Sequence, residues 1–189
     1  MAHSEERSRG GRVIVVIDCE FCCLPWTDQR PPLWIGLARH DSFGSRQWSA
    51  FNTDAPIGTL TEFSRENVLP KVPADEVRLD SEGLSTQIQE FCEGVTEFWA
   101  WCPTISNLVN VFGLGNEEAA ATHAAHWDHD LTLLKRLIDP WPTTWPSELN
   151  DLHARVREEG VELPVNPNPH HPGVDATWGL HVLERTGDI

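Results

Sequence analysis

Tyrosine is absent from the 189-residue chain, methionine occurs once, and Lys and Arg together number 14 against 29 Asp and Glu. The shortage of positive charge leaves a formal net charge of −15. That excludes a protein that coats nucleic acid through its phosphates, since such proteins carry a basic stripe or excess. An enzyme that takes a chain end is still admitted, because bound divalent cations locally invert the field of an acidic cleft. No run of 18 apolar residues occurs, and residues 1–12 are polar and rich in Gly, Arg and Ser, without the apolar segment of a signal peptide. The expectation is a soluble cytoplasmic protein with no membrane association. Five cysteines, an odd number, give no disulfide framework in a chain this long, which fits a reducing compartment.

What is present fits one globular domain: 40% hydrophobic and 23% charged residues is ordinary composition for a chain with a substantial core. Residues 1–11 read as a flexible tail and 12–189 as the domain. The run Val13-Ile14-Val15-Val16-Ile17 is continuous and β-branched, the pattern of a central strand covered on both faces. Strand-like runs at 33–39 and 46–51 follow, separated by a turn at 41–44, and suggest a β-meander. Helical patterns occupy 61–68 and 81–93, and 98–102 reads as another buried strand. The stretch 103–126 reads as less ordered and as an insertion. A helix opens at Asp128 with Leu131, Leu134, Leu137 and Ile138 on one face, and Asp139-Pro140 stops it. Ser147 is an N-cap candidate for a further helix that Gly160 ends. Pro164, Pro167, Pro169 and Pro172 mark a loop, and the last helix runs over 173–183 with Asp175 in its first turn. Strands first and helices later predict a mixed α/β sheet with helices packed on it.

Chemistry concentrates at the ends of these elements. Asp18 and Glu20 close the first strand, and side chains at i and i+2 of a strand share one face. Two bare carboxylates so close repel in low dielectric, which favours a proton or a hard cation between them. Asp128 and Asp175 each open a helix, where an acid also has the ordinary role of complementing the macrodipole. His123, His126 and His129 raise the question of zinc, but residues at i, i+3 and i+6 need not converge on one ion. Cys19, Cys22 and Cys23 raise it again, with no second Cys pair at ligand spacing, and read as buried thiols. The nine tryptophans are mostly core candidates. Trp26, after Glu20, and Trp127, beside Asp128, are candidates for stacking on bases, with Phe21 a neighbour of a terminal nucleotide.

The sequence Asp18-x-Glu20, then Trp127-Asp128-x-x-Leu131, then His170-x4-Asp175 resembles the three motifs of the DEDDh 3′-to-5′ exonuclease superfamily, the DnaQ-like and RNase T-like enzymes. Within it the chain is most similar to the small actinobacterial 3′-to-5′ exoribonuclease branch, in Val68-Leu69-Pro70-Lys71-Val72-Pro73, Trp99-Ala100-Trp101, Asp128-His129 and the segment 170–176. The resemblance spans roughly residues 12–185. One departure is that about 25 residues separate Trp101 from the aromatic-Asp-His step. Were they not an insertion, Ser106 would stand in the third acid's place.

The resemblance implies an RNase H-like mixed sheet flanked by helices, and a two-metal hydrolysis of phosphodiester bonds that releases nucleoside 5′-monophosphates from a 3′ end. Two Mg²⁺ or Mn²⁺ ions would clamp the attacking and leaving oxygens. Asp18 would bridge them, Glu20 and Asp175 would hold the ion on the water side, and Asp128 the leaving-group side. His170 would be the general base, with His171 its competitor. The implied substrate is single-stranded or short RNA, with DNA as the alternative, and a homodimer is expected. Two other readings stand beside it: a non-catalytic nucleic-acid- or protein-binding relative of this fold, and a small-nucleotide phosphodiesterase.

Overall fold

The computed structural model describes residues 11–22 and 30–189. Apart from Gly11, the expected tail lies outside the described residues, as do Cys23 and Trp26.

A six-stranded mixed sheet is built from β1 (Ile14–Glu20), β2 (Trp34–Asp41), β3 (Gly44–Asn52), β4 (Arg78–Leu79), β5 (Glu97–Ala100) and β6 (Leu149–Asp151), in the order β4-β3-β2-β1-β5-β6. The first three strands run antiparallel, and β5 is parallel to β1 with β6 parallel to β5. This is an α/β architecture consistent with an RNase H-like layout, as the order of strands and helices predicts. β1 is central because its β-branched residues have two apolar faces to fill. Val15 and Ile17 pack with Leu84 and Ile88 of α1 (Ser81–Phe91) and with Leu131 and Leu134 of α4 (His129–Leu137). Ile14 and Val16 face Leu152 of α5 (Leu152–Glu159) and Ala176 and Leu180 of α6 (Pro172–Thr186).

Three local expectations need correction. The stretch 103–126 holds two helices, α2 (Ile105–Phe112) and α3 (Asn116–His126). α2 opens on a capping box, in which Thr104 Oγ1 accepts from Asn107 N and Asn107 Oδ1 accepts from Thr104 N. It closes at Gly113, whose φ of 68° suits a residue without a Cβ. α3 has almost no apolar face, so periodicity could not reveal it; Glu117 and Glu118 at its start and His123 and His126 at its end complement the macrodipole instead. Ser147 does not cap a helix. The edge strand β6 intervenes, and Asp151 caps α5 by accepting from His153 N at 2.8 Å. Over 61–68 the chain forms a wide π-type turn at Ser64–Val68 that tightens at Leu69–Lys71 as Pro70 removes a donor.

The seat of α6 depends on glycine. A Cβ on Gly36 would lie 2.0 Å from the carbonyl carbon of Pro172 and 2.2 Å from Gly173 N, and one on Gly179 would lie 2.6 Å from Val16 Cγ1. Gly36 pairs with Asp18 across β1 and β2, so the helix N-terminus rests beside the strand residue that carries the first acid. Gly36→Ala is expected to cost about 3 kcal/mol, a fall of roughly 6–12 °C in Tm, because backbone rather than a side-chain tip must move. Thermal unfolding followed by circular dichroism checks this, and an unchanged Tm would mean the helix has room to retreat.

Candidate metal centre

Each acid reaches the end of β1 by a different structural route. Asp18 and Glu20 occupy alternate positions of β1 and share its α6-facing side. Asp175 sits in the first turn of α6 behind Pro172 at the first helical position, and His171 caps that turn by accepting from Val174 N. The three carboxylates each offer an oxygen, and these oxygens lie within 4.8 Å of one another. Among the described residues no other such cluster of His, Cys, Asp or Glu occurs, so His123, His126 and His129 do not form a zinc site. Cys19 and Cys22 are both buried, and burial pushes the Cys19 thiol well up.

A fourth acid completes the wall, and it is Asp130 rather than Asp128. The parallel pairing of β1 with β5 ends at Val16, and beyond it the Cys19 N–H donates to Asp130 Oδ1 at 3.1 Å. Asp130 is buried and lines the cleft; Asp128 does neither, and its Oδ1 accepts from Thr132 Oγ1 of its own helix. The expectation that Asp128 is a metal ligand is therefore not met by its placement. The reason is helical phase: Asp130 stands with Leu131, Leu134 and Leu137 on the inward face, whereas Asp128 is two residues, about 200°, out of step. That spacing was readable in the sequence. Ser106, the other candidate for this place, is exposed on α2 and accepts from Asn110 Nδ2.

Burial and mutual repulsion dominate the electrostatics. The Asp18 carboxyl is pushed well above the usual range by burial first, then by the charges of Asp175, Asp130 and Glu20. Burial raises Asp130 to about 6 although His129 and the Cys19 N–H pull the other way. Asp175 is also raised by burial, against the pull of its hydrogen bonds from Asn166 and the His170 N–H. An all-oxygen set that resists ionisation in the absence of a counterion suits a hard divalent cation, Mg²⁺ or Mn²⁺, and gives no soft ligand that would favour zinc or copper.

His170 stands over this group on the Pro-rich loop. Its backbone is left-handed, φ 65°, and its N–H donates to Asp175 Oδ2 at 2.8 Å. The ring places Nδ1 3.6 Å from Glu20 Oε1 and meets Phe63 edge-on at 5.1 Å between centroids. Proximity to Glu20 raises its pKa above the usual imidazole value. His171 faces elsewhere, with its ring 4.5 Å from that of Trp34, so the pair divides into one residue at the carboxylates and one at the helix cap. Phe21 lines the cleft, with its ring edge-on to His129. Trp127 ends α3, 36% exposed and away from the cleft, and Trp26 lies outside the described residues.

The raised carboxyls fix a sign for stability. In the folded chain they keep protons that an unfolded Asp, near 3.9, has already released, so metal-free stability falls as pH rises from about 4 through the folded value of about 6 at Asp130. In EDTA the Tm is expected to drop by several degrees between pH 5 and pH 8, with Mn²⁺ restoring more at pH 8 than at pH 5. Asp18→Asn should raise the Tm in EDTA at pH 8 and abolish the Mn²⁺ increment. Differential scanning fluorimetry reads all three, and a Tm in EDTA that rises with pH would show that the cluster is not strained. Searched against family models and against curated proteins, the chain matches none.

Proposed function

We propose that the protein is a metal-dependent 3′-to-5′ exonuclease, an exoribonuclease by its resemblance, that releases nucleoside 5′-monophosphates. The observation that carries this reading is the convergence of Asp18, Glu20 and Asp175 within 4.8 Å, with buried Asp130 beside them and His170 at Glu20. They line one cleft of about 470 Å³, within the range of small-ligand sites and large enough for a nucleotide.

In this reading Asp18, Glu20 and Asp175 would hold the metal, and Asp130 would take the place that the motif resemblance gives to Asp128. Divalent cations held by these carboxylates would supply Lewis-acid stabilisation of the oxygens at the reacting phosphorus. His170 Nδ1, the ring nitrogen turned toward Glu20, accepts the proton of the water that attacks phosphorus. Its elevated affinity for a proton makes it a better base, though a smaller fraction of it is unprotonated at neutral pH. Asp175 contributes twice, since the oxygen that accepts the His170 N–H also fixes the loop on which that base rides. The leaving 3′-oxygen takes a proton from solvent, which balances the one accepted by His170.

A 5′-labelled oligoribonucleotide incubated with Mn²⁺ should yield a ladder shortened from the 3′ end. Asp18→Asn, Asp175→Asn and Asp130→Asn are expected to reduce the rate to background, whereas Asp128→Asn should stay within about tenfold of the parent. His170→Ala should lower the rate by roughly 10²- to 10⁴-fold, the usual worth of a positioned general base, while keeping the Mn²⁺-dependent rise in Tm. Intact RNA and DNA after incubation with Mn²⁺ would favour the binding-module reading instead. Activity retained by Asp130→Asn but lost by Asp128→Asn would return the fourth acid to position 128.

A further inference from the structure

One wall of the cleft plays no part in the acid chemistry. β1 lies between β2 and β5 in the sheet, so the carboxylates at its end stand between two aromatic clusters. On the β2 side Phe63 meets His170. On the β5 side Trp101, directly after β5, stacks on His153 at 4.9 Å and 23° and meets Trp178 of α6 edge-on at 5.1 Å. Both indoles are only partly buried, and both line the cleft together with Asp18 and Asp175.

The polar atoms around these rings narrow what they can hold. Trp178 Nε1 is committed to Pro164 O at 2.8 Å, so its contribution to the cleft is apolar ring. Asn107 lines the same end of the cleft. Its Oδ1 is taken by Thr104 N at 3.0 Å and Thr104 Oγ1 at 2.7 Å. Because a backbone N–H can only donate, the amide orientation is fixed, and Nδ2 is left as a donor without a partner among the described residues. A flat apolar group bearing a hydrogen-bond acceptor on its edge, attached to a phosphate, satisfies all three features.

We propose that Trp101 and Trp178 form a nucleobase subsite, with Asn107 Nδ2 donating to an acceptor on the base edge. The ligand is a nucleobase attached to the phosphate held at the carboxylates, lying on the β5 side of that phosphate. The subsite rests on the nuclease reading for the placement of the phosphate. Neither indole is among the aromatic residues that the sequence pointed to, because each reads there as core.

Isothermal titration calorimetry in Mn²⁺ separates the subsite from the acid centre, using AMP and ribose 5-phosphate, which share the phosphate and sugar and differ in the base. AMP is expected to bind the parent protein about tenfold more tightly than ribose 5-phosphate, a ratio in the range of one base stacked on an aromatic ring. Trp101→Leu should shrink that ratio to about twofold, and Trp101→Phe should keep most of it. In the unaltered protein, nuclear Overhauser contacts from adenine protons to the Trp101 indole locate the base without any variant. Equal binding of the two ligands, or adenine contacts to Phe63 alone, would overturn the subsite and leave the nuclease reading intact. Binding of neither ligand would overturn both.

Discussion

The protein keeps several carboxylates in a space where they cannot all be charged. At an effective dielectric constant near 20, two unit charges 4.8 Å apart repel by about 3–4 kcal/mol. Three such pairs amount to about 10 kcal/mol, which is comparable with the whole stability of a domain. Asp130, buried against the same strand end, adds to this. A fully ionised cluster therefore weighs heavily against the fold, and protons or a bound cation relieve it. The raised pKa values of Asp18, Asp130 and Asp175 express the proton half of that statement. The closeness of the Asp18, Glu20 and Asp175 oxygens, which could hold a metal ion, expresses the other half.

Much of the surrounding architecture serves to hold that cluster in place. β1 is buried on both faces, so it cannot yield to the repulsion at its end. Gly36 removes the one Cβ that would keep the N-terminus of α6 away from Asp18. The histidine loop is pinned at several points: Lys71 Nζ donates to Pro169 O, and both oxygens of Asp175 accept, one from Asn166 Nδ2 and the other from the His170 N–H. Asp175 thus couples the position of the loop to the state of the centre. A cation drawn to its oxygens competes with the same hydrogen bonds that seat His170.

The parts of the fold legible in the sequence were those whose signal is periodic burial. β1, the meander after it, α1 and α6 follow from apolar spacing and from glycine and proline punctuation, Asp18, Glu20 and Asp175 were recognisable as acids at the ends of such elements, and His170 came from the motif resemblance. Asp128 was chosen from the motif resemblance and from its place at the opening of a helix, whereas the phase of the leucines favours Asp130. α3 left no trace in periodicity because it barely has an apolar face. β6 was hidden because three residues are too few to alternate, and its strand character comes from the edge of β5. Trp101 and Trp178 could not be told from core tryptophans, since exposure to a cleft is decided by α5 and α6 closing over the sheet, far along the chain.

Acidity and the proposed substrate then become two sides of one design. A chain with a net charge of −15 has no broad surface that attracts a polyanion, and its long-range field repels one. Among the cations near the centre, Lys71 is held by a backbone carbonyl of the histidine loop. In the proposed function, attraction for a phosphate would therefore come at short range, from cations held among the carboxylates, and the remaining affinity from uncharged contacts to bases. Such a division favours the last nucleotides of a strand over its length: every further phosphate adds repulsion from the acidic surface, while only the nucleotides inside the cleft gain contacts. A nuclease of the proposed kind would bind short ends well and long duplexes poorly, without any residue devoted to measuring length.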